Sequence, residues 1–276
     1  MFKNILYNNK TVLITGASSG LGKNLSINYA KKGAKIISIA RNTNKLKNIT
    51  DILNKINQNK NIFYACDVSN YKQVEIIKND LLSQNIIPDI VINNAAGNFL
   101  CPFENLSENA WDRIIDIVLK GTFNTTSLFG KEFIKHNNKG VFLNISTTYA
   151  DTGSALVSPS AAAKAGSDAL LKSLSVEWAR HNIRFVGIAP GPIENTGGAD
   201  KLDPFNIFKY INNYTNPRNR MCQQDEISNL AMFLTSEYAD YINGEIITID
   251  GGEKVKNSGQ FNFITNIPYF YKLIKK

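Results

Sequence analysis

Short apolar runs alternate along the chain with longer segments whose apolar positions recur every three to four residues. The first kind predicts strands at Thr11–Thr15, Lys35–Ala40, Ile62–Cys66, Ile90–Asn93, Gly140–Ser146, Ile183–Ala189 and Glu245–Asp250. The second predicts helices at about Gly20–Lys32, Asn44–Asn57, Tyr71–Ser83, Ser107–His136, Ser158–His181 and Asp225–Ser236. Alternation of this kind is the mark of βαβ units, so the expected fold class is α/β, with seven mainly parallel strands in one doubly wound sheet flanked by helices.

Punctuation along the chain agrees with these boundaries. Gly33 stands where a helix would stop, and Ser107 precedes Glu108 as a cap precedes a first-turn acid. From Ile193 to Cys222 the chain has Gly197, Gly198, Pro204 and Pro217 and no clear period, which predicts a mobile flap at about 193–222. With no repeats and no Pro/Ser-rich linker, residues 1–276 are expected to form a single domain.

Composition narrows the class further. At 43% hydrophobic and 20% charged residues, the chain is an ordinary globular sequence, which excludes disordered and collagen-like classes. Cys66, Cys101 and Cys222 are odd in number, far apart and without CxxC spacing, so neither a disulfide framework nor a metal site is expected. A reducing compartment suits them. Only ten residues precede the first predicted strand, no apolar run reaches membrane-spanning length, and the final YFYKLIKK is not a known address, so the expected location is cytoplasmic. The net charge of +8 comes from lysines spread throughout, without the aromatic-interleaved basic cluster of a nucleic-acid binder. A phosphate-bearing small molecule would still be favoured on such a surface.

The first predicted strand runs directly into Gly16-Ala17-Ser18-Ser19-Gly20-Leu21-Gly22 and then a helix. Glycines so spaced let the backbone turn tightly and approach a pyrophosphate, whose charge is met by the N–H groups and dipole of the helix start. A site preferring NAD would usually place an acid at the end of the second strand, for the ribose 2′-hydroxyl. This chain has Arg41 and Asn42 there, and a guanidinium pairs well with a 2′-phosphate, which points to NADPH. Asp67 after the third strand and Asn93-Asn94-Ala95-Ala96-Gly97 after the fourth fall where ligands of such sheets bind.

The TGxxxGxG arrangement at Thr15–Gly22, the NNAAG stretch, a lysine-bearing helix and the PGPI after the sixth strand together resemble the short-chain dehydrogenase/reductase family. The resemblance spans about Thr11 to Gly252 and implies a Rossmann-type fold. Members usually carry a Tyr-x-x-x-Lys pair, a serine thirteen residues before that tyrosine, and an asparagine in the preceding long helix. Here Lys164 is kept, but Ser160 stands in the tyrosine place, Thr147 in the serine place and Val118 in the asparagine place. A serine hydroxyl is a far weaker acid than a phenol, so simple carbonyl reduction is disfavoured.

With Tyr149, this pattern resembles the 2,4-dienoyl-CoA reductase branch, in which the tyrosine lies eleven residues before the serine. The likeness extends to NNAAGNF, TTYADTGS, SAAAK, KLDP, INGEIITIDGGE and SGQFN. In a conjugated dienoyl thioester the hydride goes to C5 while negative charge develops on the thioester oxygen, so the donor must move with that oxygen.

The resemblance implies that Tyr149 and Asn98 donate to the oxygen, that Ser160 supports them, and that Lys164 binds the nicotinamide ribose. It further implies that Phe99 and Lys201 contact the substrate. Gly16, Ser18, Ser19, Gly20, Leu21, Gly22, Arg41, Asp67, Val68, Asn94, Ala95, Gly97, Lys164, Pro190, Gly191 and Ile193 would hold NADPH. A homotetramer is likewise implied.

Each assignment has a plainer rival. Arg41 and Lys201 could be solvated surface residues, Tyr149 a packed aromatic, Asn98 a turn cap, Phe99 core and Ser160 an N-cap. For the whole chain, the rivals are another acyl-thioester or carbonyl reductase, and a nucleotide-binding protein without catalysis.

Overall fold

A computed structural model describes residues 7–196, 216–260 and 262. Seven strands form one sheet: β1 (Thr11–Thr15), β2 (Lys35–Ala40), β3 (Ile62–Ala65), β4 (Ile90–Asn93), β5 (Gly140–Ile145), β6 (Ile183–Pro190) and β7 (Ile246–Ile249). Their order is β3-β2-β1-β4-β5-β6-β7, and every pairing is parallel. The predicted strands agree to within a residue or so at each end.

Around the sheet lie α1 (Gly20–Lys31), α2 (Thr43–Ile56), α3 (Tyr71–Ser83), α4 (Glu108–Ile115), α5 (Gly121–Lys135), α6 (Tyr149–Thr152), α7 (Ser158–Glu177), α8 (Gln224–Thr235) and α9 (Glu253–Ser258). Successive residues of a strand face opposite sides, and both sides are covered here. Val12 and Ile14 of β1 pack with Leu25 and Tyr29 of α1 and Ile227 of α8, whereas Leu13 joins Ile77 of α3, Phe129 of α5 and Leu171 of α7. Burial on both faces explains why the strands read as unbroken apolar runs.

Three differences from the predicted elements bear on the site. The single helix expected over Ser107–His136 is divided by a π-helical turn at Asp116–Lys120, capped at its start by Ser107, whose Oγ accepts from the Ala110 N–H at 3.3 Å. The helix α6 is one turn long, too short to leave a period in the sequence. Of the expected flap, residues 197–215 lie outside the described residues, and its two ends are paired: the Cys222 N–H donates to Pro192 O and the Glu194 N–H to Cys222 O, each at 2.9 Å. Among the described residues no helix is long and apolar enough to cross a membrane.

Candidate active site

Because β1 is flanked by β2 on one side and β4 on the other, the chain winds away in opposite directions from β1, leaving a crevice at the carboxyl ends of β1 and β4. The Gly16–Gly22 turn fills that position. Gly16 adopts a left-handed φ of 67°. A Cβ on Gly22 would stand 2.3 Å from Gly16 O and 2.6 Å from the Asn94 amide, so only glycine lets the helix start approach the turn so closely. Helix α1 opens at Gly20 with no side-chain cap and no acid in its first turn, which leaves its N–H groups for an anion. A pyrophosphate fits this cradle.

Thr15, which opens the TGxxxGxG stretch but has no role of its own assigned by that spacing, ties the two strand ends together. Its Oγ1 accepts from the N–H groups of Asn94 and Ala95, both at 3.0 Å, and the Asn94 amide donates to Thr15 O at 2.8 Å. Asn93 points the other way and is buried, its amide donating to Asn144 Oδ1 at 2.9 Å and to Thr126 at 3.1 Å. The NNAAG stretch thus divides into one structural asparagine and one that shapes the crevice.

Arg41 and Asp67, at the ends of β2 and β3, line one cleft of about 380 Å³ with Arg113 and Ile117 from across it. The Asp67 carboxylate is engaged locally, accepting from the Ser69 N–H at 3.0 Å and the Ser69 hydroxyl at 2.7 Å. Val68 is buried and its carbonyl accepts from the Asn124 amide at 2.8 Å. On the far side, the Gly191 N–H donates to Ile249 O at 3.1 Å, and Ile193 forms the bridge to Cys222.

Beyond the end of β5 three of the four predicted catalytic residues, Asn98, Tyr149 and Ser160, meet. The Asn98 amide Nδ2 donates to the Tyr149 hydroxyl at 3.0 Å, and that hydroxyl lies 3.3 Å from Ser160 Oγ. The Phe99 N–H donates to Asn98 Oδ1 at 2.9 Å, which orients the amide so that its N–H groups face Tyr149. Asn98 is therefore a local cap and a donor at once. Ser160 is only 3% exposed and is not the helix cap, since α7 begins at Ser158 after Val157. Phe99 packs beside Val118 and Ala163. Lys201 lies outside the described residues.

Lys164, 8% exposed, donates through Nζ to Ile145 O. Burial pushes its ammonium down to about 8, an effect opposed by Asp168 one turn further along α7. Asp168 itself is held by the Ser146 hydroxyl at 2.6 Å and shifted upward by burial. Val118, in the place where an asparagine is usual, is buried in the π turn, and its carbonyl accepts from the Thr122 hydroxyl at 2.7 Å. The Ser146–Asp168 pair has no spacing signature, and although Thr15 opens the TGxxxGxG stretch, its bonds to Asn94 and Ala95 join segments that only the fold brings together.

A parallel sheet with a glycine cradle at its switch point defines a dinucleotide-binding protein of the Rossmann class. The family model described as enoyl-(acyl carrier protein) reductase matches residues 16–254. The chain belongs to the short-chain dehydrogenase/reductase family of oxidoreductases.

Among its relatives, a probable (2E)-enoyl-CoA-producing 2,4-dienoyl-CoA reductase of Bacillus subtilis is 40% identical over 88% of this chain and 96% of that protein. A probable (3E)-enoyl-CoA-producing 2,4-dienoyl-CoA reductase of Caenorhabditis elegans is 34% identical over 92% of this chain and 83% of that one. A solved structure of a gluconate 5-dehydrogenase from Burkholderia cenocepacia, in complex with NADP and tartrate, superposes with a TM-score of 0.85 at 25% identity, covering 92% of this chain and 98% of that one.

Proposed function

We propose that the chain reduces 2,4-dienoyl-CoA thioesters to 3-enoyl-CoA with NADPH, in the β-oxidation of unsaturated fatty acids. The observation that carries this reading is the Asn98–Tyr149–Ser160 cluster, in which the phenol is displaced from the usual Tyr-x-x-x-Lys position and paired with a carboxamide. The names of the relatives support the substrate class.

NADPH, when bound, supplies the hydride that goes to C5 of the diene. Arg41 would hold the 2′-phosphate, Asp67 and Val68 the adenine end, and the Gly16–Gly22 turn the pyrophosphate, with Ser18, Ser19 and Leu21 completing that loop. Asn94, Ala95 and Gly97 would border the ribose, and Pro190, Gly191 and Ile193 the nicotinamide. Lys164 would hold the ribose hydroxyls and keep a positive charge near the reacting centre. As the C4=C5 electrons move toward the thioester, charge collects on its oxygen, where Tyr149 and the second Asn98 N–H donate. Two such donors act as an oxyanion hole, in which one is typically worth roughly 3 kcal/mol. Protonation at C2 from water then leaves the double bond between C3 and C4. Phe99 and Lys201 are assigned to the acyl-CoA side.

The free thiols of Cys66, Cys101 and Cys222 suit a reducing compartment, and we place the enzyme in the cytoplasm. Phe123 on α5 and Val176 on α7 are exposed apolar residues that assembly into the homotetramer would cover. NADPH oxidation measured with 2,4-hexadienoyl-CoA, a 2-enoyl-CoA and a 3-oxoacyl-CoA tests the reading. Turnover of the dienoyl thioester alone is expected, with the product's double bond placed by NMR. Preference for the 3-oxoacyl thioester would overturn it, and NADPH binding with no turnover would mark a non-catalytic protein.

A further inference from the structure

Helix α6, which begins at Tyr149, has no side-chain cap and none of its four residues is buried. A single turn has almost no stability of its own, because nucleating a helix costs more than one turn returns. Its orientation must come from contacts made elsewhere. One is with α7, through the Tyr149–Ser160 contact. Another is an ion pair between Asp151 of α6 and Nζ of Lys254 in α9, joining positions 103 residues apart.

Helix α9 is tied down at its start, although none of its residues is buried. The Asp250 carboxylate accepts from the N–H groups of Gly252 and Lys254, both at 2.8 Å, and Asp250 O accepts from the Asn216 amide at 2.8 Å. Next to Lys254, Glu253 lies against the β6 end: a Cβ on Gly191 would be 3.4 Å from Glu253 Oε2. Helix α9 therefore stands between the loop after β6 and the helix that carries the phenol, and neither the cofactor nor the substrate assignments use it.

We infer that Lys254 is a positioning residue for Tyr149: by pairing with Asp151 it fixes the rotation of α6, and so keeps the phenol in register with Asn98 and Ser160. The inference rests on the catalytic role proposed for Tyr149. The Asp151 side chain is 73% exposed, so the pair adds little to global stability. Its effect falls on geometry, where a misplacement of about 1 Å can cost up to about 10²-fold in rate.

The test uses the full chain with NADPH and 2,4-hexadienoyl-CoA. Lys254→Met is expected to lower kcat about tenfold, within the range such misplacement allows, while NADPH affinity by fluorescence titration stays unchanged. Lys254→Arg should retain most activity, and the exchange of Asp151→Lys with Lys254→Asp should recover much of the loss. In a Tyr149→Phe background, Lys254→Met should cost nothing further, because residues acting through one group are not additive. An unchanged kcat in Lys254→Met, or a full multiplicative loss in the Tyr149→Phe background, overturns the tether. Failure of the unaltered protein to turn over any dienoyl thioester is a different result: it removes the proposed function, and the tether's purpose with it.

Discussion

Asn98 and Tyr149, 51 residues apart, meet through a 3.0 Å hydrogen bond from the carboxamide Nδ2 to the phenol oxygen. The direction of that bond matters. An oxygen that accepts one hydrogen bond becomes a better donor of its own hydrogen, so the Tyr149 O–H is left polarised and free to be offered to a substrate. The second N–H of Asn98 can be offered to the same atom.

Replacing Tyr149 by Phe removes one of the two donors while keeping the ring. Turnover of 2,4-hexadienoyl-CoA should fall about 10²- to 10³-fold, the usual cost of one oxyanion donor, with NADPH affinity nearly intact. Steady-state kinetics alongside a cofactor titration separates the two effects, and an unchanged kcat would remove Tyr149 from the chemistry.

Arg41 lines the same cleft as Asp67, and the proposed function assigns it to the 2′-phosphate of NADPH. Arg41→Ala should weaken NADPH far more than NADH, since only the phosphate loses its partner. Equal loss for the two cofactors, in parallel titrations, would show that Arg41 is a solvated surface side chain.

Thr15 Oγ1 is the acceptor for two successive N–H groups at the crevice. Thr15→Val keeps the shape and removes the acceptor, so it should cost about 1–3 kcal/mol in urea unfolding, the penalty of stranding buried donors. NADPH binding should weaken as well if Asn94 and Ala95 border its site as proposed. A variant as stable as the parent would show that water replaces the hydroxyl.

Lys164, buried at the proposed cofactor site, is expected to govern the pH profile. Its ammonium, pushed down to about 8 by burial, is charged below that pH and neutral above it. The kcat/KM for NADPH, which reports ionisations of the free enzyme, should therefore decline as pH rises through about 8. Stability should run the opposite way: the unfolded chain keeps that proton up to about its ordinary 10.5, so between 8 and 10.5 folding releases a proton and stability rises with pH. Opposed trends in rate and melting temperature across that window are the expected outcome, and a flat rate would mean that bound cofactor is indifferent to the charge.

Much of this architecture is legible in the sequence because it depends on local chemistry. Apolar runs buried on both faces marked the strands, and the glycines after β1 marked a turn that no side chain could occupy. The split of the Ser107–His136 helix was not legible: a π turn keeps the same apolar residues and only shifts their phase, around a buried Val118. Nor was α6, since four residues carry no period. The two meanings of adjacent asparagines, Asn93 inward to Asn144 and Asn94 toward Thr15, needed the strands on either side to tell them apart.

The sequence by itself determined the class of fold, the cradle for a dinucleotide and the residues available for chemistry, because these follow from periodicity, from glycine's lack of a side chain and from motif spacing along one stretch. Only the tertiary structure decided which of those residues touch. Asn98 meets Tyr149 and Asp151 meets Lys254 across intervening βα units, whereas Tyr149 with Ser160 and Ser146 with Asp168 join the end of β5 and the helices that directly follow it. The two distant contacts are set by strand order and by how each loop packs at the carboxyl edge of the sheet, and these long-range terms leave no spacing for a sequence to display, unlike the eleven residues between Tyr149 and Ser160.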